Sequence, residues 1–569
     1  MKRFSRLYII GFLWTSLSLS AQENILTSRV LREPVQKVSE VNDANSVTTI
    51  EYYDTAGRLI QTIRKGFGPN GEDLADYIQF DEAGRIAKEY LSTPFTGNNG
   101  VFVPVSEFEQ STQTWSRTHL YEASTEGRIV ETSGMHVGGK SIKYDYRLSN
   151  SSEPELSALE FRMQNNTTIN KRMAARGAYQ VVEEIDEDGH RILLFTDSDG
   201  HTVLKRRVDG DVYHDTYMVY DAYDHLRCVL PPAAVDAYSS FDDQSLSAGN
   251  FLDLYAYFYI YDNDNQCVGV KYPGADWIYT VYDGDYRPIL SQDGNQRKRD
   301  EWSFIKYDGL GRVVIEGIVK DKRTRDDLAD IYEDVLVHEE YIGTEGPCRG
   351  YTDHIKMGQN RYILTCIRYY DNYAFTEFSS DWSFANMASS ASAKGLLTGV
   401  FEAVLNQPDK GRFTINQYDD KSRLIRRDSK ETLSNNTLSA DYSYNFSGAL
   451  IRSDSRYGNR YSLRLDYNYD HAGREKNSIC VLGYGTTHYT SPLRAFTYDS
   501  HGRISEKMMQ GNKVKMTYGY HNDGTLFNIG SMNGFNETLY FGNSMLPYQL
   551  SRCNNGNIAD ISISQGRRL

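Results

Sequence analysis

One short unit recurs along this chain and constrains its fold more than any other feature. It reads Tyr-Asp, two or three residues, Gly, Arg, then an aliphatic residue. Tyr53-Asp54-Thr55-Ala56-Gly57-Arg58-Leu59 is a complete copy, as are Tyr307-Asp308 through Gly311-Arg312-Val313 and Tyr498-Asp499 through Gly502-Arg503-Ile504. Phe80-Asp81 with Gly84-Arg85 exchanges one aromatic for another, and Tyr469-Asp470 with Gly473-Arg474 lacks the aliphatic. Weaker copies start at Tyr220, Tyr261, Tyr282, Tyr418, Tyr444 and Tyr520. The chain holds eleven Tyr-Asp dipeptides, against roughly four expected by chance, and many copies lie about 20–29 residues apart, the spacing of stacked repeats.

The unit encodes a hairpin. Tyr ends a strand, its ring covering the sheet or the next repeat. Asp opens the turn, because its carboxylate accepts from backbone N–H groups two residues on. Gly takes a position needing positive φ, as in a type I turn followed by a G1 bulge. Arg and the aliphatic residue begin the return strand on opposite faces. One hairpin alone is marginal, so neighbours must pair. The expected fold is mainly β: a curled antiparallel ribbon of such hairpins, open and C-shaped, with both ends as edges. A residue that recurs in a turn role many times is structural, so these Tyr and Asp are not read as catalytic.

Composition narrows the class. The chain has 569 residues, 44 of them Tyr, with net charge −14. Its mean hydropathy of −0.57 excludes a bundle of membrane helices. The acidic balance argues against nucleic acid as a partner. Cys228, Cys267, Cys348, Cys366, Cys480 and Cys553 are scattered without a CxxC pair; most read as small buried residues, with one bridge left open.

Residues 1–21 carry Lys2, Arg3 and Arg6, an apolar stretch from Leu7 to Leu19, and small residues at Ser18, Ser20 and Ala21. That is the pattern of an export signal, and places the mature chain outside the cell or on its surface. Residues 22–160 read as an N-terminal β-rich domain and 161–320 as a repeat region. In the latter, Asp186-Glu187-Asp188-Gly189 and Asp197-Ser198-Asp199-Gly200 are degenerate turns. Residues 321–394 read as an insertion. Leu328, Ile331, Tyr332, Val335 and Leu336 are at helical spacing, predicting a helix around 325–340. A Ser/Ala-rich loop follows at 376–394. Repeats resume over 395–545, and 546–569 is a weakly patterned, frayed tail.

At these motifs the sequence resembles the Rhs family of YD-repeat proteins, in particular secreted members with a family-specific N-terminal domain of unknown function. Tyr52-Tyr53-Asp54 through Leu59-Ile60-Gln61, Gly71-Glu72-Asp73-Leu74, and Phe80-Asp81 through Gly84-Arg85 match that domain. Val219-Tyr220-Asp221 with Leu226 to Pro232, Tyr272 to Trp277, Gln292 to Gln296, Ile367 to Asp371, and Lys394 to Gly399 continue the likeness over about residues 45–545. The resemblance implies a β-ribbon wound into a hollow shell that can enclose a C-terminal toxin. No core-end motif of the DPxGRFxxxDP type is found, and the sequence closes at Gln565-Gly566-Arg567-Arg568-Leu569. The expectation is a short Rhs protein or a fragment, without the self-cleaving core and without its own toxin.

Other motifs lack their chemistry. Gly66-Phe67-Gly68-Pro69-Asn70-Gly71 matches GxGxxG, but a dinucleotide site needs a strand before it and a helix after. Gly138-Gly139-Lys140 lacks the spaced first Gly of a P-loop. From Asp197 or Asp262 the EF-hand spacing fails, leaving open only a looser Ca²⁺ site from carboxylate density. No HExxH, zinc-spaced Cys/His cluster or GxSxG elbow occurs. No catalytic, cofactor or metal residues are assigned. The expected role is a non-enzymatic shell or scaffold of a toxin system, enclosing or presenting another polypeptide. The alternative is a surface module on which exposed Tyr stacks on glycan or cell wall. Sequencing the N-terminus of the exported protein should give Ala21 or Gln22 as the first residue; an intact Met1 would make the segment an anchor.

Overall fold

The computed structural model describes residues 24–562, apart from 135–140, 164–167, 240–244, 248–251, 344–345, 355–361, 378–382, 384–392, 406, 510, 512, 522, 532–535, 542–546 and 555–556. The signal segment, most of the Ser/Ala-rich loop and residues 563–569 lie outside the described residues.

The fold is one antiparallel sheet of 34 strands with a second sheet of three. Strand follows strand as a meander, from Asn24–Leu31 on Ser46–Tyr53 to Pro547–Asn554 on Asn557–Ser562. The last two strands fall in the stretch after 545 that the sequence left weakly patterned. Only twice does the ribbon omit intervening strands. Ser141–Leu148 pairs directly with Gln180–Ile185, and Leu226–Leu230 with Tyr257–Tyr261. The omitted strands Leu159–Met163, Thr168–Met173 and Ser245–Ser247 form the small sheet.

Alternation along each strand decides what each face buries. Thr202–Asp209 buries Leu204, Arg206 and Val208 and turns the residues between them outward. Arg206 is buried there because the facing strand supplies Asp215, whose carboxylate takes both guanidinium arms at 2.6 and 2.8 Å. Its remaining N–H groups bind the carbonyls of Pro154, Glu155 and Ser157, tying that loop onto the sheet.

Three apolar clusters form where chain segments leave the ribbon and cover it. Phe108, from helix Val105–Gln110, packs beside Tyr90, Phe95 and Tyr77. Leu193, Phe195, Tyr217 and Phe258 anchor the second cluster, and Trp302, Phe304, Phe401 and Phe413 the third. The helix expected around 325–340 is Arg325–Tyr332, capped by Thr324, with Leu328 and Tyr332 buried and Ile331 exposed. Val335 and Leu336 fall past its end. There the chain binds the 283–287 turn instead: the Val335 carbonyl accepts from Gly284 N–H, and Val337 N–H donates to Asp283. Farther on, the fully buried Lys306 ammonium donates to Glu339 and Asp353, each at 2.6 Å. Removing one partner would strand a buried charge, so this triad fixes where the 333–354 segment lies.

Past residue 415 the ribbon is nearly bare. Ala440 is its one buried apolar side chain among the described residues. Residues 393–531 continue as one meander without separate compact domains. Cys228, Cys267, Cys348, Cys366 and Cys480 are free thiols; the side chain of Cys553 lies outside the described residues.

The ladder does not close, because the first and last strands do not pair with each other. The ribbon nevertheless coils further than the C-shape expected from the hairpin count. His471 touches the Gly66–Gly68 loop, and Ser500 and His501 touch Gln113. The second contact lies farther along both partners than the first. Successive windings of a spiral advance in this way, whereas a ribbon doubled back would run them in opposite directions. Between the 66–72 loop and the 470–474 turn lie 23 strands of the main sheet. At about 4.8 Å per strand these make a wall about 110 Å around and about 35 Å across.

Gly311 has φ +77° and no neighbour that a Cβ would meet. Gly311→Ala should therefore cost about 1–2 kcal/mol through backbone strain alone. Gly311→Asn should cost less, since Asn265 holds the same turn position at φ 65°; thermal melting of the two variants checks the order.

Candidate functional site: the turn ladder and the seam

Each Tyr-Asp turn is assembled by its aspartate. Asp54 N–H donates to the Arg58 carbonyl, and Gly57 N–H donates back to the Asp54 carbonyl. One carboxylate oxygen accepts from the N–H of Ala56 and of Arg58; the other takes Arg58 Nε at 2.7 Å. The ladder register slips by one residue between Tyr52 and Tyr53, the G1 bulge that positive φ at Gly57 permits. Asp81 with Arg85, Asp308 with Arg312, Asp470 with Arg474 and Asp499 with Arg503 repeat the geometry, Nε to carboxylate at 2.7–2.8 Å. Asp54 and Asp81 stay below the usual carboxylate range, first through the backbone N–H of Arg58 and Arg85 and then through their side chains.

The arginine so fixed belongs to the following repeat as much as to its own. Arg58 lies 4.2 Å over the Phe80 ring, Arg85 4.1 Å over Tyr121, Arg287 4.9 Å over Tyr307, Arg312 4.4 Å over Tyr370 and Arg474 4.4 Å over Tyr498. That tyrosine returns its hydroxyl to the carbonyl just after the same arginine: Tyr121 to Ile86, Tyr307 to Pro288, Tyr370 to Val313, Tyr498 to Glu475. The ring thus covers the preceding repeat, not the next one. Glycine completes the fit, since a Cβ on Gly84 would meet Arg58 Nη1 at 2.8 Å, and one on Gly502 would meet Arg474 at the same distance. Where His replaces Arg the rung persists, with His201 stacked on Tyr220 and His225 on Tyr261. Each rung contributes on the order of 1–2 kcal/mol from a cation–π contact and a hydroxyl hydrogen bond.

All five sequence motifs sit along one edge of the ribbon, because successive turns of a meander alternate between its edges. The Asp186–His190 turn, directly before Asp197–His201, is on the opposite edge. Asp197, Asp199 and His201 are near enough to share a cation. Asp197 is already occupied by the N–H groups of Asp199 and His201, its ordinary turn role.

The seam joins the Tyr-Asp edge of the second winding to the opposite edge of the first. His471 Nε2 lies 2.7 and 3.1 Å from the carbonyls of Gly66 and Gly68, so its N–H points between them. Phe67 is 4.9 Å from the Arg474 guanidinium, on which Tyr498 also stacks, and reaches Gly502 of the following turn. Glu72 adds a carboxylate within the field of Arg474. One turn farther, Ser500 Oγ reaches Gln113 Oε1 at 3.3 Å, and His501 meets the Gln113 carbonyl at 3.4 Å. Sequence reading identified the arginine and glycine sides of this contact as turn residues. By their place in turns, His471 and His501 read from sequence as solvated turn residues, whereas in the structure both meet the first winding; Phe67 and Gln113 were passed over. The Gly66–Gly71 loop was considered only as a nucleotide motif; in the structure that loop receives the second winding.

Comparison with known proteins supports the same architecture. Residues 27–147 match the family described as a domain of unknown function, DUF6443. The fold is similar to crystal structures of TcdB2-TccC3-Cdc42 (TM-score 0.62, 12% identity, 93% of this chain and 23% of that chain) and of TcdB2-TccC3 without its hypervariable C-terminal region (0.60, 12%, 89% and 22%). It is also similar to the Photorhabdus luminescens Tc holotoxin pore (0.61, 12%, 93% and 22%). At such identities the likeness is one of fold, and this chain spans less than a quarter of the length of those chains. No curated protein sequence matches it. The matched domain and the fold agree with the Rhs-like, YD-repeat reading of the sequence.

Burial holds the His501 pKa below its ordinary value, and Arg503 lowers it further. Protonation therefore favours the unfolded chain, and the stability His501 contributes is present above about pH 6.5 and lost as pH falls below it. Melting should drop between pH 7.5 and pH 5 by more in the wild type than in His501→Gln; equal drops would show that the seam histidine does not titrate against folding.

Proposed function

We propose that this chain is an exported, non-enzymatic YD-repeat shell that encloses or presents another polypeptide within an Rhs-type toxin system. The observation that carries the reading is the seam. A ribbon that passes one full revolution and bonds to its own first winding is a wall around a space, not an open platform. That wall is about 35 Å across between strand centres. Side chains take up about 5 Å on each inner face, half the usual spacing between packed sheets, which leaves room for an extended or partly folded polypeptide. The ladder supports the same role: rungs made from neighbouring turns let the wall stand over residues 416–531 with almost no apolar core. The solved proteins of similar fold carry TcdB2-TccC3 names, one of them joined to Cdc42, which fits a wall used with a polypeptide passenger.

The glycan reading is weaker. Sugar sites pair stacked aromatics with convergent polar side chains, whereas the ladder tyrosines spend their ring faces on arginine and their hydroxyls on backbone carbonyls. The test is to purify the exported protein from its native culture and digest it with protease. A passenger should co-purify, resist digestion while the wall is intact, and be degraded once the wall is opened by denaturant. Absence of any co-purifying polypeptide, or degradation at the same rate in both states, would sink the proposal.

A further inference from the structure

The seam pairs two kinds of edge, and the described ribbon leaves one of each uncovered. On the first winding, the Tyr-Asp edge carries turns Asp54–Arg58 and Asp81–Arg85, with Thr55, Ala56, Glu82 and Ala83 exposed. Their arginine side chains are 39% and 36% exposed, against 11% for Arg474 inside the seam. Arg58 and Arg85 each stack on one ring and leave the other guanidinium face open. Arg474 has that second face filled by Phe67.

On the second winding, one face of the sheet carries an apolar groove of about 430 Å³ beside the opposite edge. Tyr457, Tyr461, Tyr484 and Tyr489 line it with Leu463 and Leu482. Tyr461 and Tyr484 face each other across two strands, rings 5.3 Å apart, and are 55% and 54% exposed; Tyr489 is 67% exposed. Such a cluster of exposed aromatics is unusual on a finished surface. Its position gives it meaning. The groove lies on the strands that flank the 470–474 turn, at their far ends, so it borders the edge onto which a further winding would stack.

We infer that a second copy of this chain occupies this groove, seating the Tyr-Asp edge of its first winding on the aromatic edge of the other copy's second winding. The contact repeats between molecules the relation that the seam makes within one. The exposed turn tips Thr55, Ala56 and Ala83 take the places that His471, Ala472 and His501 hold against the first winding in the seam, and sit between the tyrosines. The open faces of Arg58 and Arg85 take Tyr rings as Arg474 takes Phe67. The two surfaces differ, so the contact is head-to-tail and each added copy presents a fresh groove; association therefore runs past the dimer into stacks. The net charge of −14 opposes this at low salt, and screening relieves it while the apolar contact persists.

Sedimentation of the purified chain over a range of concentrations tests the inference. The wild type should form dimers and longer stacks that increase with concentration and survive about 1 M salt, where charge interactions reach only about 3 Å. Tyr461→Ser with Tyr484→Ser removes the groove, and Ala56→Glu with Ala83→Glu places charge on the exposed turn tips without touching a rung. Each double variant should be monomeric and keep the wild-type circular dichroism. Tyr489→Ser, at the most exposed ring, provides a milder groove variant in which association should weaken. Mixing the two double variants leaves one intact groove and one intact turn edge, so the mixture should give dimers and nothing larger. A wild type that stays monomeric throughout, variants that associate as the wild type does, or a mixture that stays monomeric would each overturn the inference.

Discussion

The aspartate-held arginine is the interaction on which the rest of this structure depends. Where Arg stands four residues after the aspartate, two backbone N–H groups and Arg Nε converge on one carboxylate, fixing a side chain that would otherwise sweep through many rotamers. Once fixed, the guanidinium becomes a surface on which the aromatic ring of the following repeat lies flat. That ring's hydroxyl then closes back on the same turn. Every repeat is thereby bonded to the one before it through side chains as well as through the strand ladder. This is why the sheet holds its curvature where no apolar layer covers it, as over Leu424–Glu431 and Glu475–Tyr484.

Curvature that is held from repeat to repeat accumulates, and accumulated curvature brings distant turns together. The seam at Phe67, His471 and Gln113 is the result, and its chemistry is borrowed from the rung. Arg474 already stacks on Tyr498, and Phe67 occupies its remaining face. A strand ladder cannot close a ribbon that climbs as it coils, since its ends arrive one ribbon-width apart. Turn-to-turn contact can, because it needs only complementary edges. The architecture is therefore a spiral wall with an edge interface, and the same edges carry the proposed stacking of whole chains.

The three buried clusters have a different task. They lie under excursions that leave the ribbon, and polar clamps place those excursions. Arg206 grips the 154–157 carbonyls, and Lys306 holds Glu339 and Asp353. These are costly groups to bury. Their value is in position, because an apolar surface alone would not specify which segment docks where. The first two-thirds of the chain is thus a thickened wall and the last third a thin one, both on the same turn chemistry.

The sequence by itself determined the local physics. Tyr53, Asp54, Gly57 and Arg58 announce a bulged hairpin because each residue type has one reason to be there, and all the reasons act within six residues. Antiparallel pairing of neighbours, the mainly β class and the continuity of residues 395–530 follow from repetition of that unit. Even the helix near Leu328 was legible, although its end was not, since Val335 and Val337 leave helical geometry for partners on a turn some fifty residues earlier. What only the tertiary structure decided is the coil. How much each hairpin turns the ribbon depends on the stacking of Arg58 on Phe80 or Arg474 on Tyr498, contacts between repeats that no single motif contains. Small angles summed over 23 strands then determine that Phe67 meets Arg474 some four hundred residues away, and that Tyr461 and Tyr484 remain uncovered. Local pattern specifies each rung, but only the summed geometry specifies which edges meet.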